Sequence, residues 1–478
     1  MEKSEAGRGG KVLWFAVWGA MALVAGVNTL APFWILSGRY GFVLGVLLAG
    51  VASVQLVVGA SFLRPKDFVL AVVVLLLFGV GLVGQRVYVT PSGIDFGAYY
   101  VAGKVVAEKP PGRLYFNAVS ADGRFILWDA APGWQETTSQ FGVPKALTFI
   151  YPPFFAVLMK PLTYFPYGVA FALWNVFALL ATITSIWMST NLGGIRLEVN
   201  LVLILLVGLF SFSPFFQELE VGQVSSVLLF LCTSGVWLYS RRSEGSSAFC
   251  FALATMIKIT PLVVVPLFVI HRRWKWLAGY GCWMVWLTGF SVWQAGWPAH
   301  EQFLHSVMPS LSCGITTIGN VSLMTFVQEL FLGYVPMDWH LSPMAPLACI
   351  ASKLVSFAVF GLLVVRFYLY RREQNLVRDL TLILLLSLSI APITWMHHYV
   401  VALLPFLYLW GRAEGGRRDY LFVASVLAVG SNLTGLAIPF FRDLPVAQLV
   451  LAGIIPCLTV ALVWFRVGER PGVAAISS

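Results

Sequence analysis

The chain has 478 residues, of which 59% are apolar and only 11% charged, with a mean hydropathy of +0.83. A soluble domain carries about 25% charged residues, and 31 Lys+Arg with 21 Asp+Glu cannot coat a soluble protein of this length. A soluble enzyme, a disordered chain and a fibrous repeat are therefore excluded; apolar runs of about 18–25 residues leave a polytopic all-α integral membrane protein, because barrel strands would alternate polar and apolar over about 10 residues.

Met1 to Lys11 is short, polar and basic. The run from Val12 to about Leu30 is too long for the apolar core of a signal peptide and lacks a small-residue cleavage site, so it reads as a first spanning helix. Further spans are expected at about 41–62, 67–85, 167–190, 199–213, 222–240, 246–258, 261–270, 274–296, 345–369, 379–395, 398–411, 419–437 and 446–466. The short ones only partly cross, or are broken helices lining a cavity, and the pair hinged at Lys258-Ile259-Thr260-Pro261 is the clearest case. The sequence thus predicts about 12–14 spanning or partly spanning helices in one domain over 1–478. N-terminal helices fill 1–85, a long outer loop 86–166 and the remaining helices 167–466.

Orientation follows from the basic turns, among them Arg241-Arg242, Arg272-Arg273, Arg371-Arg372 and Arg417-Arg418. With both termini cytoplasmic, these turns all fall inside and the inner side carries the whole net charge of +10. A nucleic-acid partner is excluded, because the basic residues are juxtamembrane and divided among many loops. The protein is expected in a cell membrane, multi-pass, with the bacterial plasma membrane as the natural setting.

Two outer segments are long, about 86–166 and 297–342. The first contains an amphipathic stretch, Tyr99, Val101, Val105 and Val106 set among Lys104, Glu108 and Lys109, which predicts a helix lying in the interface plane. Among six cysteines no C-x-x-C occurs, so neither a disulfide framework nor a zinc site is expected.

Several residues in these outer turns could carry chemistry. Asp95, in Gly93-Ile94-Asp95-Phe96, is either a helix N-cap or a general base near the membrane surface. Tyr151-Pro152-Pro153-Phe154, Lys160-Pro161 and Phe165-Pro166 break the helix repeatedly, and a short helix near 154–160 is expected between them. In Glu218-Leu219-Glu220-Val221-Gly222-Gln223, the acids are either a solvated turn or a polar site in which Glu220 and Gln223 meet sugar hydroxyls. Lys258, at the hinge, either snorkels or holds a phosphate as a point charge. His397 and His398 are adjacent and point different ways on a helix, so they suit a phosphate contact or a shared proton better than a metal. Asn320, in Gly319-Asn320-Val321-Ser322-Leu323, matches a glycosylation sequon, as does Asn432.

The order of these motifs resembles glycosyltransferase family 87 over roughly residues 80–410. Gly93-Ile94-Asp95-Phe96, Tyr99-Tyr100, Leu114-Tyr115, Tyr151-Pro152-Pro153-Phe154, Trp174, Gly222-Gln223, Lys258-Ile259-Thr260-Pro261, Gly319-Asn320-Val321-Ser322-Leu323 and Pro392-Ile393-Thr394-Trp395-Met396-His397-His398-Tyr399 arrive in family order. The chain departs from the family in two extra N-terminal spans, in a more charged Lys104–Arg113, and in Met396, where an acid is common. The resemblance implies a GT-C fold and an inverting, metal-independent transfer of a hexose, mannose in the first place. The sugar would move from a polyprenyl-phosphate donor to a lipid-linked or glycan acceptor on the extracytoplasmic face. It implies no cofactor, and as partners the donor, the acceptor and the surrounding membrane lipids. Asp95 would be the catalytic base; Lys258, His397 and His398 would hold the donor phosphate; Tyr99, Tyr151, Glu220, Gln223 and Asn320 would meet sugar or acceptor. A transporter or lipid flippase, or a GT-C enzyme using another sugar such as arabinose, is the alternative. A transporter would place its polar groups near the bilayer midplane in two matching halves, whereas here they cluster at outer turns.

Overall fold

The structure, a computed structural model, describes residues 93–108, 114–115, 132–197, 201–202, 205–206, 208–209, 212–315, 319–332, 346–371, 375–412, 417–431 and 445–467. The three spans expected before residue 86 and the sequon at Asn432 lie outside these residues.

Among the described residues the protein is all-α, its one extended contact being an isolated antiparallel bridge between Asn320 and Trp395. Helix α1 is Ile94–Ala107, and α2 is Pro132–Gln140. Then come α3, Pro153–Met159, a 3-10 turn at Lys160–Tyr164, and the long α4, Tyr167–Gly193. Next are α5, Ser213–Val221, α6, Ser225–Ser240, and α7, Glu244–Ile257. A 3-10 turn at Thr260–Val264 leads to α8, Val265–Ile270, and then to α9, Trp274–Ala295. The second long segment holds α10, Trp297–Gln302, a π turn at Phe303–Val307, and the short α11, Met308–Leu311. The chain continues with α12, Leu323–Leu332, α13, Pro346–Tyr370, and α14, Leu376–Ile390. After a 3-10 turn at Met396–Ala402 it ends in α15, Leu403–Gly411, α16, Arg417–Gly430, and α17, Pro445–Val467.

Among the described residues three helices are long and apolar enough to cross a membrane, over Tyr167–Gly193, Leu347–Tyr370 and Val450–Val467. At 1.5 Å per residue, the 27 residues of α4 reach about 40 Å, more than a bilayer's hydrocarbon core. Exposed Val176, Leu180, Val365 and Leu369 leave apolar faces on α4 and α13 that suit lipid. Helix α14 is the opposite case, with nearly every side chain buried, as expected of a helix that is apolar all round.

Proline sets the boundaries around the site. Pro153 opens α3, Pro161 turns its end into a 3-10 turn, and Pro166 caps α4. The short helix expected near 154–160 is α3. The expected hinge is also present: α7 ends at Ile257, Lys258 is extended at φ −149° and ψ 131°, and Pro261 lies in the following 3-10 turn.

Two features differ from the sequence reading. The amphipathic stretch forms α1, yet the protein encloses it: every residue of α1 except Lys104 and Ala107 is buried, against α3 and its 3-10 turn. Gly103 permits that approach, since a Cβ there would lie 2.9 Å from Thr163. The second is a disulfide between Cys313, after α11, and Cys349 in the first turns of α13, with Cα atoms 5.3 Å apart. A separation of 36 residues, with one partner inside an apolar run, carries no sequence signal of pairing.

Candidate active site

Two glycines set the approach of the first outer segment to the α5–α6 turn. Gly93 (φ 72°) starts α1, and Gly222 (φ 72°) ends α5, both in the left-handed region that favours glycine. Gly93 N–H donates to the Glu220 carbonyl at 2.7 Å, and Tyr167 donates to the Gly93 carbonyl at 2.9 Å. A Cβ on Gly222 would sit 2.6 Å from Cβ of Phe96. The Trp174 indole N–H donates to the Gly222 carbonyl at 3.0 Å, so α4 fixes the same turn.

This joint opens onto a cavity of about 480 Å³. Its polar lining includes Asp95, Tyr99, Tyr151, Gln223, Lys258, His397 and His398; much of the rest is apolar, including Ile94, Val221, Ile259, Val263, Leu311 and Ile393. Helix α1, the extended segment leading into α3, the α5–α6 turn, the broken α7–α8 pair, the second long segment and the turn after α14 each contribute a wall.

The polar groups form one network. Gln223 Oε1 accepts from Tyr151 at 2.7 Å, from Tyr99, and from Val224 N–H at 2.9 Å. Its Nε2 lies 3.3 Å from Asp95 Oδ2 and 3.1 Å from His397 Nε2. Lys258 Nζ lies 2.9 Å from His398 Nε2 and 5.7 Å from the centre of the Tyr151 ring. The two imidazole planes are turned 84° apart, which sends His397 to Gln223 and His398 to Lys258, the divergence expected of adjacent histidines.

Asp95 is the second residue of α1 and makes no capping bond; the residue before the helix is Gly93. Burial pushes its carboxyl up to about 7, while the Lys258 ammonium pulls it back down. A carboxyl that titrates near neutral pH is matched to general-base work.

The remaining candidates stand outside the cavity lining. Glu220 is half-buried, and its carbonyl receives the Gly93 N–H. Asn320 is buried: Nδ2 donates to the Ile315 and Pro392 carbonyls at 2.9 and 3.0 Å, and Oδ1 accepts Thr394 N–H at 2.8 Å. It fastens the second long segment to the turn that carries the histidines, and as a sequon it has no access to solvent.

The sequence reading passed over Glu218. Its side chain is buried, and Oε1 accepts Ser226 N–H at 2.7 Å at the start of α6. Burial pushes its carboxyl up to about 8, against the hydrogen bond from Ser226. Glu218 and Glu220 are two positions apart on α5 and so face different ways; only the helix phase, begun by Pro214 in its first turn, tells them apart. Among the described residues no group of three or more His, Cys, Asp or Glu converges.

The sequence model of glycosyltransferase family 87 matches residues 149–392, about half of the chain. The chain belongs to glycosyltransferase family 87. It is a membrane glycosyltransferase, and Tyr151, Gln223 and Lys258 fall within the matched residues. Asp95, Tyr99, His397 and His398 lie beyond them and are brought to the same cavity by the fold. The chain is also 28% identical over 320 residues, 66% of this chain and 69% of the relative, to a polyprenol-phosphate-mannose-dependent alpha-(1-2)-phosphatidylinositol pentamannoside mannosyltransferase from Mycolicibacterium smegmatis (strain ATCC 700084 / mc(2)155). A protein of the same name from Mycobacterium tuberculosis (strain CDC 1551 / Oshkosh) is 28% identical over 335 residues, 69% of this chain and 70% of the relative.

Proposed function

We propose that this family 87 protein, with a GT-C type of fold, moves mannose from a polyprenyl-phosphate donor to a hydroxyl of a lipid-linked acceptor on the extracytoplasmic face, with inversion. The observation that carries the proposal is Asp95 and Lys258 facing one largely apolar cavity, joined through Gln223 and the His397-His398 pair. The apolar walls suit a prenyl chain, and the cation suits a phosphate. The names of the two relatives supply the donor and sugar class.

In this reading Asp95 takes the proton of the acceptor hydroxyl as its oxygen forms a bond to the anomeric carbon. The bond from that carbon to the phosphate oxygen breaks, and polyprenyl phosphate departs with the electron pair. Lys258 and His398 stabilise the growing charge on the phosphate. The Tyr99 and Tyr151 rings form the floor on which the sugar rests. The outer placement of the site is supported by the basic inner turns and by Cys313–Cys349, since disulfides persist in oxidising compartments.

The test is transfer by the purified protein in vesicles. Polyprenyl-phosphate mannose, glucose and arabinose are each offered with phosphatidylinositol pentamannoside and with simpler mannosides. Mannose transfer with inverted anomeric configuration is expected. Transfer of arabinose or glucose in preference to mannose would overturn the sugar assignment, and a retained configuration would overturn the single-displacement mechanism.

A further inference from the structure

Gln223 sits where a sugar-binding amide is expected, yet its hydrogen-bonding capacity is fully spent inside the protein. Oε1 receives Val224 N–H, which can only donate, along with the Tyr99 and Tyr151 hydroxyls. That fixes which end of the amide is oxygen. Nε2 then points its two hydrogens at Asp95 Oδ2 and His397 Nε2, at 3.3 and 3.1 Å. The side chain is buried, and Trp174 holds its backbone by donating to the Gly222 and Gln223 carbonyls. A primary amide has two donor hydrogens and an acceptor oxygen, and all of these are committed.

We propose that Gln223 is a positioning residue for the reaction, not a sugar ligand: it aims the Asp95 carboxylate and fixes the His397 tautomer. This rests on Asp95 being the base, as read above. By donating to Oδ2, Gln223 leaves Oδ1 of Asp95 turned to the acceptor. By donating to Nε2 of neutral His397, it places that imidazole's proton on Nδ1. The two tyrosines are the outer support of the device, since their hydroxyls stop the amide from turning over.

A sugar ligand and a positioning residue give different kinetics. Loss of a ligand raises KM, whereas loss of an aiming bond lowers kcat and moves the titration of the base. Two variants are compared with wild type: Gln223→Glu, which keeps the acceptor end and puts a second carboxylate beside Asp95, and Gln223→Met, which removes all the bonds at similar volume. Turnover is followed across pH as release of polyprenyl phosphate from polyprenyl-phosphate mannose with phosphatidylinositol pentamannoside. Folding is checked by melting temperature and by size-exclusion profile.

The expected result has two parts. In Gln223→Glu the acidic limb of the pH profile moves up by about one unit or more, since a like charge disfavours ionisation of its neighbour. In Gln223→Met kcat falls about tenfold or more, while KM for the donor and for the acceptor stays within about threefold. A raised KM with kcat and the acidic limb unchanged would return Gln223 to the sugar site and overturn the proposal. If one variant fails to fold, the other decides. Asp95→Asn run alongside separates the failures. If it abolishes turnover while both Gln223 variants behave as wild type, only the positioning role is wrong; if it keeps more than about a tenth of wild-type turnover, the base assignment falls and takes the positioning role with it.

Discussion

At Asp95 two explanations make opposite demands, and one substitution separates them. Asn can serve at a helix start nearly as well as Asp, but its amide cannot take a proton. Asp95 makes no capping bond, so Asp95→Asn is expected to keep its melting temperature and lose about 10²–10⁴-fold in turnover, or about 3–5 kcal/mol of barrier. The pH dependence follows from the same residue. The base must be ionised, and burial lifts its carboxyl to about 7, so kcat/KM is expected to rise with pH through about 7. The Lys258 ammonium favours the carboxylate, so its removal must favour the protonated form. Lys258→Met is therefore expected to shift that rise to higher pH, beyond the loss it causes through the phosphate. A limb that stays in place or moves down would show that Lys258 does not act on Asp95.

At the scale of the elements, the site depends on where helices stop. Extended Lys258 between α7 and its 3-10 turn, and the Gly222 joint between α5 and α6, present side chains where a continuous helix would bury its own backbone. Gly222→Ala is expected to lower stability by at least about 1–2 kcal/mol, the cost of a left-handed backbone for an L residue. The Cβ clash with Phe96 adds to that cost, and a melting curve of the purified protein checks it. Much of this was legible in the sequence. Pro152, Pro161, Pro166 and Pro261 announce the breaks, and Asp95, Lys258 and the histidines, singled out by their motifs, are groups that the fold brings to one cavity. Besides the disulfide, three things were not. The enclosure of α1 depends on the protein around it, which its own periodicity does not encode. The choice of Glu218 over Glu220 depends on a helix phase begun one turn earlier. The engagement of Asn320 depends on a turn more than seventy residues away.

For the whole molecule, charge and covalent chemistry agree on one orientation. The dibasic turns argue for an inner face, and the disulfide argues for an oxidising side at the second long segment. Thiol counting gives a direct check. Denatured without reductant, the protein is expected to take up four maleimide tags, on Cys232, Cys250, Cys282 and Cys457, and after reduction six. Six tags without reduction would remove the disulfide from the argument. Sidedness has its own measurement. A cysteine placed at exposed Ser139, in a protein lacking the exposed Cys282 and Cys457, is expected to react with a membrane-impermeant reagent in intact cells. Reaction only after the cells are opened would reverse the topology.

The disulfide also bears on how the enzyme is made. Leu311 and Ser312, next to Cys313, are part of the cavity wall, but Cys349 belongs to a helix synthesised 36 residues later. The histidines arrive later still, after α14. In the proposed mechanism, a nascent chain that has inserted everything up to α12 therefore holds Asp95 and Lys258 with one wall untethered and His397 and His398 missing. On the proposed outer placement, catalytic competence is expected only once the late helix that carries Cys349 has met an oxidising compartment. A host or cell-free system that inserts membrane proteins without an oxidising compartment should yield correctly threaded chains whose second outer segment is unfastened, and added oxidant should complete them after synthesis.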